Sequence, residues 1–575
     1  MQIRQLKIQN FRGISSMTWS LQDAFCCLIG AGDSGKSTIL DAAEAVLNSR
    51  WFSFSESDFL ACDTGNTIEI EATVGELSRA LKSDERFGLY IRGWTAAGEL
   101  RDEPEGDDEP VLTVRLTVDA TLEPVWEMVC DRVETPRTIS NRDRALFGLV
   151  RLAGDDARHL AWGQGSVLSR LTGDNKEAAT RLAEAYRAAR DSAKLGQIES
   201  LARTATAAEG FAMGLGAYVE GHYEPGLELG RSGLSSGSIA LHDDGVPLRL
   251  AGLGTRRLAT LAIQRSAISE GAIILVDEIE HGLEPHRIIG AISQLKANQN
   301  AASAANTPVG QVLLTTHSDI ALAECGAQSL HVIKTSRPDR VTSARKTEAP
   351  IPVAALMRFT PRAFFAKRIL VCEGMTEVGL LLGVREQWPS RHHGKPIEQM
   401  GVALADGNGA QAPALALALA ALGYPTALFM DSDVPLPPPT TASLSAARVA
   451  VFEYGSMLNT EQAIFSAARN PRVQELLDVA RDNHGYEQVN DALFPHISGL
   501  SQATVKEDFQ NWGHHCELTA AEAKTIVGNV AKNKKWFKEQ RYGRQIGDIV
   551  WNIIEEDPQT PLAIALLGLE EWAYA

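Results

Sequence analysis

The segment that most constrains the fold of this 575-residue chain is residues 30–37, which read GAGDSGKS. An apolar run, FCCLI, precedes it and a helix-forming run, STILDAAEAVL, follows it, so the sequence predicts a strand, a glycine-rich turn and a helix. The backbone N–H groups of such a turn bind phosphate, its lysine reaches the β- and γ-phosphates, and the hydroxyl after the lysine binds Mg²⁺. We therefore predict an ATP site with Mg²⁺, formed by Gly30, Gly32, Gly35, Lys36, Ser37 and Thr38.

Two later strand ends supply the other parts that a nucleotide hydrolase needs. The apolar run IILV ends in Asp277, which is placed to hold the Mg²⁺ shell, and Glu278, which is placed to orient or deprotonate the attacking water. The run QVLLTTHS places His317 where a side chain can sense the γ-phosphate. Between the two halves, a glycine-marked helix begins near Gly252 and Gly254.

A second set of acids follows in another α/β pattern. Glu373 ends the run RILVC, and Glu377 lies four residues later, on the same face of the helix that follows. Asp431 and Asp433 end the run TALFM at a spacing of two, and Asp406 ends a third run. Carboxylates gathered at the carboxyl ends of parallel strands repel one another unless cations lie between them. Such oxygen-rich clusters suit Mg²⁺ or Mn²⁺, and two such ions can promote cleavage of a phosphodiester.

A single acid at a strand end is most often a helix cap or a solvated turn residue. The order E-G-x-x-E and then D-x-D in an α/β setting is more specific, and it favours a metal centre at Glu373, Glu377, Asp431 and Asp433. Asp406 and Glu461 are further candidates for this set.

The order of the first motifs resembles an ABC-type ATPase of the SMC and RecF kind, and the opening QIRQLKIQNFRGI resembles the first strand of those proteins. This resemblance implies an ATP-dependent head-to-head homodimer in which Gly252 and Gly254 complete the site of the opposite subunit. The segment LAGLGT departs from the usual LSGGQ, and this departure weakens the inference that one subunit activates the other.

The second motif set resembles a Toprim domain, and an ATPase followed by Toprim resembles the OLD (overcoming lysogenization defect) nucleases, most of all the nuclease subunits of Gabija anti-phage systems. In the OLD family a lysine near the C-terminus assists at the phosphate. Lys538, in KKWFK, is the best match, and Lys535 is the next. The spacing alone does not separate these two lysines. The resemblance also implies DNA as substrate and a UvrD-like helicase as partner protein.

The predicted fold class is α/β multidomain: an ABC-type P-loop ATPase with a helical dimerisation insertion, followed by a Toprim domain with a helical C-terminal region. The expected bounds are 1–165 and 223–345 for the ATPase, 166–222 for the insertion and 350–575 for the Toprim part. The uncharged stretch 407–430 is interrupted by prolines and a glycine, which predicts a buried helix and strand instead of a membrane span.

Charge and cysteine usage limit the possible partners and compartment. The net charge is −17, so no overall field attracts nucleic acid, but residues 532–544 (KNKKWFKEQRYGR) carry six basic side chains against one acid. Charge alone favours a solvated helix face for this strip. The seven cysteines lack metal or disulfide spacing, and no signal peptide is evident, which indicates a cytoplasmic protein without a membrane partner.

Two functional hypotheses follow. The preferred one is a DNA endonuclease in anti-phage defence, which depends on divalent metal and is regulated by ATP. The alternative is a DNA-binding repair or recombination ATPase of the SMC/RecF type, in which Toprim is a binding or assembly module. A topoisomerase is the weakest reading, since nothing marks a tyrosine nucleophile.

Overall fold

The computed structural model describes residues 1–49, 52–152, 160–162, 166, 168, 172, 195–227, 239–268, 271–305, 307, 309–497, 501–506, 508–512, 514–515 and 518–575. These residues form two compact units, Met1–Lys346 and Thr347–Ala575. Much of the predicted helical insertion, residues 173–194, lies outside the described residues. No helix of the described part of the chain is long and apolar enough to cross a membrane.

The described strands of the first unit are β1 (Gln2–Phe11), β2 (Ile14–Ser20), β3 (Phe25–Ile29), β4 (Ile68–Gly75), β5 (Arg92–Trp94), β6 (Leu100–Arg101), β7 (Glu109–Val118), β8 (Pro124–Val129), β9 (Arg137–Thr138), β10 (Val150–Leu152), β11 (Tyr223–Leu227), β12 (Ile239–Asp243), β13 (Val246–Pro247), β14 (Ile273–Val276), β15 (Gln311–Thr315), β16 (Leu330–Thr335) and β17 (Thr342–Lys346). Its described helices are α1 (Lys36–Leu47), α2 (Asp84–Phe87), α3 (Asn141–Ala145), α4 (Glu199–Gly214), α5 (Leu253–Ile268), α6 (Pro285–Ala304) and α7 (Asp319–Cys325).

The first unit contains a six-stranded sheet in the order β10-β14-β15-β3-β16-β17, parallel except for β17. Every residue of β3, β14 and β15 is buried, as expected for central parallel strands with helices on both faces. The strand β15 lies between β3 and β14. The carboxyl ends of these three strands therefore bring the glycine-rich turn, the Asp277 segment and the His317 segment to one edge.

A second, eight-stranded sheet follows the order β2-β1-β4-β7-β5-β6, with β8 and β9 attached through β7. Its strands are antiparallel, and side chains from Met17 to Ser20 alternate between buried and exposed positions. Leu40, Ala43 and other residues of α1 share one apolar core with this sheet, which fixes the helix behind the glycine-rich turn. A small three-stranded sheet contains β11, β12 and β13.

The second unit contains the strands β18 (Arg368–Cys372), β19 (Val402–Asp406), β20 (Thr426–Met430) and β21 (Ala450–Glu453), in the fully parallel order β19-β18-β20-β21. Its described helices are α8 (Pro350–Phe359), α9 (Met375–Val384), α10 (Ala412–Ala421), α11 (Pro438–Ala446), α12 (Thr460–Ala467), α13 (Asn470–His484), α14 (Tyr486–Leu493), α15 (Gln502–Val505), α16 (Phe509–Trp512), α17 (Ala520–Lys534), α18 (Gln540–Gln545), α19 (Gly547–Glu556) and α20 (Pro561–Tyr574). The helix α10 and the strand β20 confirm the interpretation of residues 407–430.

Glycines allow the C-terminal helices to touch the helix that follows β18. A Cβ at Gly379 of α9 would lie 2.7 Å from the Gln540 carbonyl oxygen, and one at Gly383 would lie 2.5 Å from that of Arg544. From the other side, a Cβ at Gly543 or Gly547 would lie 2.8 or 2.4 Å from backbone carbons of α9. The backbones therefore meet at two places one helical turn apart, so α18 and α19 are fixed against α9.

The basic strip 532–544 does not form the single solvated helix face that charge alone favoured. The helix α17 ends at Lys534, and Lys535 adopts a left-handed conformation with φ 58°. The chain turns before α18 begins at Gln540, and Trp536 and Phe537 in the turn are buried. Two aromatic anchors therefore break the strip into two short basic segments.

Candidate functional site

The glycine-rich turn joins β3 to α1 in the geometry that the sequence predicts. Gly35 has φ +92°, a conformation that disfavours other residues, and a Cβ at Gly30 would lie 2.4 Å from the Ile333 carbonyl oxygen. The Nζ of Lys36 lies 3.1 Å from the carbonyl oxygens of Gly30 and Ala31. Burial lowers the pKa of Lys36, although nearby acids oppose this effect. Gly32, Ser37 and Thr38 belong to the same turn and the first helical turn.

The acids at the end of β14 lie beside this turn. The hydroxyl of Ser37 donates to Asp277 Oδ1 at 3.1 Å, and that of Thr315 donates to the same oxygen at 2.6 Å. The backbone N–H of Glu278 donates to the Thr315 hydroxyl at 2.8 Å. Glu278 itself has φ +48°, and its side chain is half exposed. The pair Ser37 and Asp277 therefore presents the two groups expected to hold Mg²⁺.

His317 follows β15 and is held by an acid that the sequence analysis did not identify. The backbone N–H of His317 and the hydroxyl of Thr316 each donate to the carboxylate of Glu280, both at 2.6 Å. Burial and the charge of Lys36 lower the pKa of His317, which favours its neutral form. Nothing in the sequence singles out Glu280, because it lies in the turn after the Asp277 segment.

The two glycines proposed for the opposite subunit lie at the start of α5. A Cβ at Gly254 would lie 2.8 Å from the Gly282 carbonyl oxygen, so close packing requires glycine there. A Cβ at Gly252 would meet nothing within 4 Å. Their role at a partner's nucleotide stays a prediction.

The second site is a cavity of about 610 Å³ at the carboxyl edge of the four-stranded sheet. Its lining includes most of the predicted acids and lysines, namely Glu373, Glu377, Asp406, Asp431, Glu461, Lys535 and Lys538, together with Lys532. Asp433 is connected to the same place through an ion pair with Lys532. The structure thus brings together all the residues that the sequence analysis assigned to a metal centre.

Strand register explains why the acids converge. Cys372 of β18 pairs with Asp406 of β19 on one side and with Phe429 of β20 on the other, so Glu373 and Asp431 follow at neighbouring positions. The N–H of Asp431 donates to Glu373 Oε2 at 3.1 Å. Because all three strands run in the same direction, their final acids share one edge.

The acids oppose one another's ionisation. Burial, followed by the charge of Glu373, raises the pKa of Asp431 to about 8. Burial also raises the pKa of Glu373 and that of Glu461. For Asp433, burial acts in the same direction but the Lys532 ammonium outweighs it, so the pKa is lowered. Oxygen ligands that repel one another in this way fit one or two divalent cations of the Mg²⁺ type.

Both carboxylate oxygens of Glu377 accept hydrogen bonds from groups at helix ends. Oε2 accepts from the backbone N–H of Gly374 at 2.9 Å, and Oε1 accepts from the Thr460 hydroxyl at 2.6 Å. The side chain is 5% exposed, and burial raises its pKa to about 7. Glu377 thus caps the N-terminus of α9, and its role as a metal ligand stays a prediction.

Ser432, between the two aspartates, fixes their loop to another loop. Its Oγ lies 2.7 Å from the Gly455 carbonyl oxygen and 3.1 Å from that of Leu458, so its single O–H can donate to either, and it accepts from the Leu458 N–H. The N–H of Ser432 donates to the Leu458 carbonyl oxygen. Gly455, Ser456 and Met457 all have positive φ angles. The spacing between Asp431 and Asp433 is therefore set by contacts far along the chain.

Lys532 lines the cavity and forms an ion pair with Asp433, and it is neither of the two lysines predicted from the sequence. It lies in the last turn of α17, one helical turn before Lys535. The sequence signal was present, since all three lysines belong to the same basic strip. The choice of Lys532 over Lys535 and Lys538 depends on where α17 ends, and the sequence does not give that position.

A third group of potential metal ligands lies at the edge of the six-stranded sheet: Asp23, Cys26 and His331. The Nζ of Lys346 lies 2.7 Å from Asp23 Oδ2, and His331 Nε2 lies 3.7 Å from the same oxygen. The ammonium group already neutralises Asp23, so this group has no need of a metal ion.

Comparison with known proteins assigns both units. A family model described as an AAA ATPase domain matches residues 1–83, and one described as AAA domain, putative AbiEii toxin, Type IV TA system matches residues 195–323. A model described as overcoming lysogenization defect protein-like, TOPRIM domain matches residues 364–433, which include Glu373, Glu377, Asp406, Asp431 and Asp433. No curated protein matches the chain.

Two solved structures with low similarity are an SmcHead bound to the C-winged helix domain of ScpA and an SMC head domain from Thermotoga maritima. The first is 15% identical, with 60% of this chain and 97% of that chain covered and a TM-score of 0.36. The second is 17% identical, with coverage of 61% and 100% and a TM-score of 0.30. Such low scores say nothing about function. The family models and the fold together show that this chain joins a P-loop ATPase domain to an OLD-like TOPRIM domain.

Proposed function

We propose that this protein is a DNA endonuclease that depends on divalent metal and whose activity is regulated by ATP. The observation that carries the proposal is the cavity of the second unit, where five strand-end and helix-start acids face three lysines. Acids of this number suit Mg²⁺ or Mn²⁺, and the lysines suit the phosphate oxygens of a nucleic acid. The alternative of a binding module needs no such set of acids.

Glu373, Asp431 and Asp433 would hold the metal, with Asp406, Glu377 and Glu461 as further candidates. When bound, the divalent ions supply activation of water and stabilisation of the leaving oxygen of the phosphodiester. Lys532 holds Asp433 and lies where it can pass to a phosphate oxygen, and Lys535 and Lys538 extend the positive surface of the same cavity. Glu377 keeps the N-terminus of α9 in place at the cavity through its hydrogen bonds to Gly374 and Thr460.

The first unit would bind ATP and Mg²⁺ through Lys36, Ser37 and Asp277, with Glu278 directing the attacking water and His317 near the γ-phosphate. Self-association through the ATPase heads and the helical insertion, a UvrD-like helicase partner and a role in anti-phage defence of the Gabija type extend this proposal. These extensions rest on the resemblance of the two motif sets in one chain, with a cytoplasmic protein as the expected context.

The test is cleavage of supercoiled plasmid DNA with Mg²⁺ or Mn²⁺, with and without ATP. Glu373→Gln and Asp431→Asn each remove one charge from the centre, and we expect cleavage to fall about a hundredfold or more. Glu475→Gln, on α13 and outside the cavity lining, serves as control and should cleave like the wild type.

Equal cleavage by the wild type and Glu373→Gln would contradict the assignment of Glu373 to a metal centre. ATP-stimulated binding of DNA without strand scission would favour the repair or recombination ATPase instead.

A further inference from the structure

One buried arginine of the first unit lies among three carboxylates. Arg151, in β10, is 5% exposed. Its Nη2 lies 2.9 Å from Asp277 Oδ2, and its Nη1 lies 3.3 Å from Glu44 Oε2 and also contacts Asp41 Oδ1. A guanidinium group can donate to several acceptors at once in a fixed plane, which a lysine cannot do.

The three carboxylates come from the two elements that form the nucleotide site. Asp41 and Glu44 lie one turn apart on α1, the helix that begins at Lys36. Asp277 follows β14, and β10 is the parallel neighbour of that strand. Arg151 therefore joins the helix of the phosphate-binding turn to the strand end that carries the Mg²⁺ aspartate.

The two oxygens of Asp277 are held from opposite sides. Oδ2 faces Arg151, while Oδ1 accepts from the hydroxyls of Ser37 and Thr315. The orientation of the carboxylate toward Ser37 thus depends on the contact with Arg151. Groups that orient a metal ligand in this way commonly change metal affinity about 10- to 100-fold when they are removed.

We propose that Arg151 is a positioning residue of the nucleotide site, which aligns Asp277 with Ser37 for Mg²⁺ by bridging β10, β14 and α1. The proposal rests on the proposed binding of ATP with Mg²⁺. It goes beyond that function, because it assigns a role in Mg²⁺ binding to a residue whose positive charge prevents it from being a ligand of the cation itself. Without Arg151, three carboxylates repel one another across the joint between α1 and β14.

The experiment measures binding of the fluorescent nucleotide mant-ATP to the full chain, first in EDTA and then during a Mg²⁺ titration. For Arg151→Met we expect affinity in EDTA within about twofold of the wild type, and a rise of about tenfold or more in the Mg²⁺ concentration for half-maximal enhancement. Arg151→Lys keeps a positive charge, but a lysine can reach the carboxylates of only one of the two elements. We therefore expect a Mg²⁺ concentration for half-maximal enhancement that lies between those of the wild type and Arg151→Met.

Arg115→Met provides the matched control. Arg115 of β7 also forms a partly buried ion pair, with its Nε 2.8 Å from Glu71 Oε1, but in the eight-stranded sheet. Its loss should leave the Mg²⁺ titration unchanged even where thermal stability falls.

The outcomes are separable. A Mg²⁺ titration of Arg151→Lys that matches the wild type overturns the proposal, even where Arg151→Met fails to fold. Equal losses in EDTA and in Mg²⁺ also overturn it, because they indicate a general role in folding. Absence of nucleotide binding by the wild type would instead contradict the proposed function.

Discussion

In the acidic cavity of the second unit, the raised pKa values of single carboxyl groups favour bound protons, which a divalent cation would displace. Burial and neighbouring charge raise the pKa of Asp431 to about 8, and burial raises that of Glu377 to about 7. In the metal-free protein at neutral pH, Asp431 is therefore largely protonated, although a free aspartic acid ionises near pH 4. Metal binding at such a centre releases protons, so pH controls both affinity and stability.

We expect the affinity for Mn²⁺ to increase as the pH rises from about 6 to about 8.5, because protons compete with the metal for Asp431. The stability of the metal-free protein should change in the opposite direction. Between the ordinary pKa of a carboxyl group and about 8, the folded state binds more protons than the unfolded state, so stability falls as the pH rises.

Thermal unfolding in EDTA across this pH range checks the sign, and Mn²⁺ titration checks the affinity. Asp431→Asn removes the titrating group, so its melting temperature should depend less on pH. If the melting temperature of the wild type in EDTA rises as the pH increases through this range, the protonation of Asp431 is contradicted.

The sequence predicted the acids better than the residues that support them. Glu373, Asp406 and Asp431 were predictable because each closes an apolar run, and parallel strands bring such ends together. Arg151 and Lys532 were not. Arg151 lies alone inside a short strand, and the position of Lys532 at the cavity depends on where α17 ends.

Among the elements, the contact of α9 with α18 and α19 holds the lysine segment at the acidic cavity. Glu377 begins α9, and the chain that carries Lys532, Lys535 and Lys538 leads directly into α18. The backbones touch through Gly379 and Gly383 on one side and Gly543 and Gly547 on the other. Even a methyl group at these positions would force the helices apart.

Gly383→Ala should destabilise this contact by about 1–3 kcal/mol, because the new methyl group overlaps the Arg544 carbonyl oxygen and Gly547. Hydrogen exchange of the amides of α18 and α19 should accelerate, and DNA cleavage should fall while nucleotide binding is retained. Gly290→Ala, in α6, meets nothing within 4 Å and should not destabilise its helix. If hydrogen exchange of these amides is unchanged in Gly383→Ala, α9 can separate from α18 and α19 without a cost in free energy.

The elements also show where the sequence carries less information. The parallel strands could be predicted from short apolar runs. The pairing of the eight-stranded sheet could not. Its central pairing joins β4 to β7, although α2, β5 and β6 lie between them in the chain, and such pairing depends on tertiary packing more than on local propensity.

At the scale of the whole molecule, the P-loop site and the acidic cavity lie in separate compact units of one chain. The proposed function gives each site a divalent cation, so removing the metal would not distinguish them. A substitution in one site does. The proposed regulation therefore makes a specific statement about how the first unit affects cleavage by the second.

Lys36→Ala should weaken ATP binding about tenfold or more, because it removes the cation that faces the phosphates. Plasmid cleavage by this variant should no longer respond to ATP, while metal-dependent cleavage without ATP stays at the wild-type level. Lys82→Ala, at an exposed position, is the control. An ATP response retained by Lys36→Ala would place the regulatory nucleotide elsewhere.

The hydrogen bonds of Ser432 have a consequence for ion selection. Because Ser432 is hydrogen-bonded to Gly455 and Leu458, the positions of its two neighbouring aspartates are constrained by a loop that lies far along the chain. A flexible pair of acids would adapt to cations of different radius. A cation held by Asp431 and Asp433 would instead have to fit the spacing that the protein sets. Rigidity of this kind would favour a small ion with a strict octahedral shell over a larger one with variable coordination.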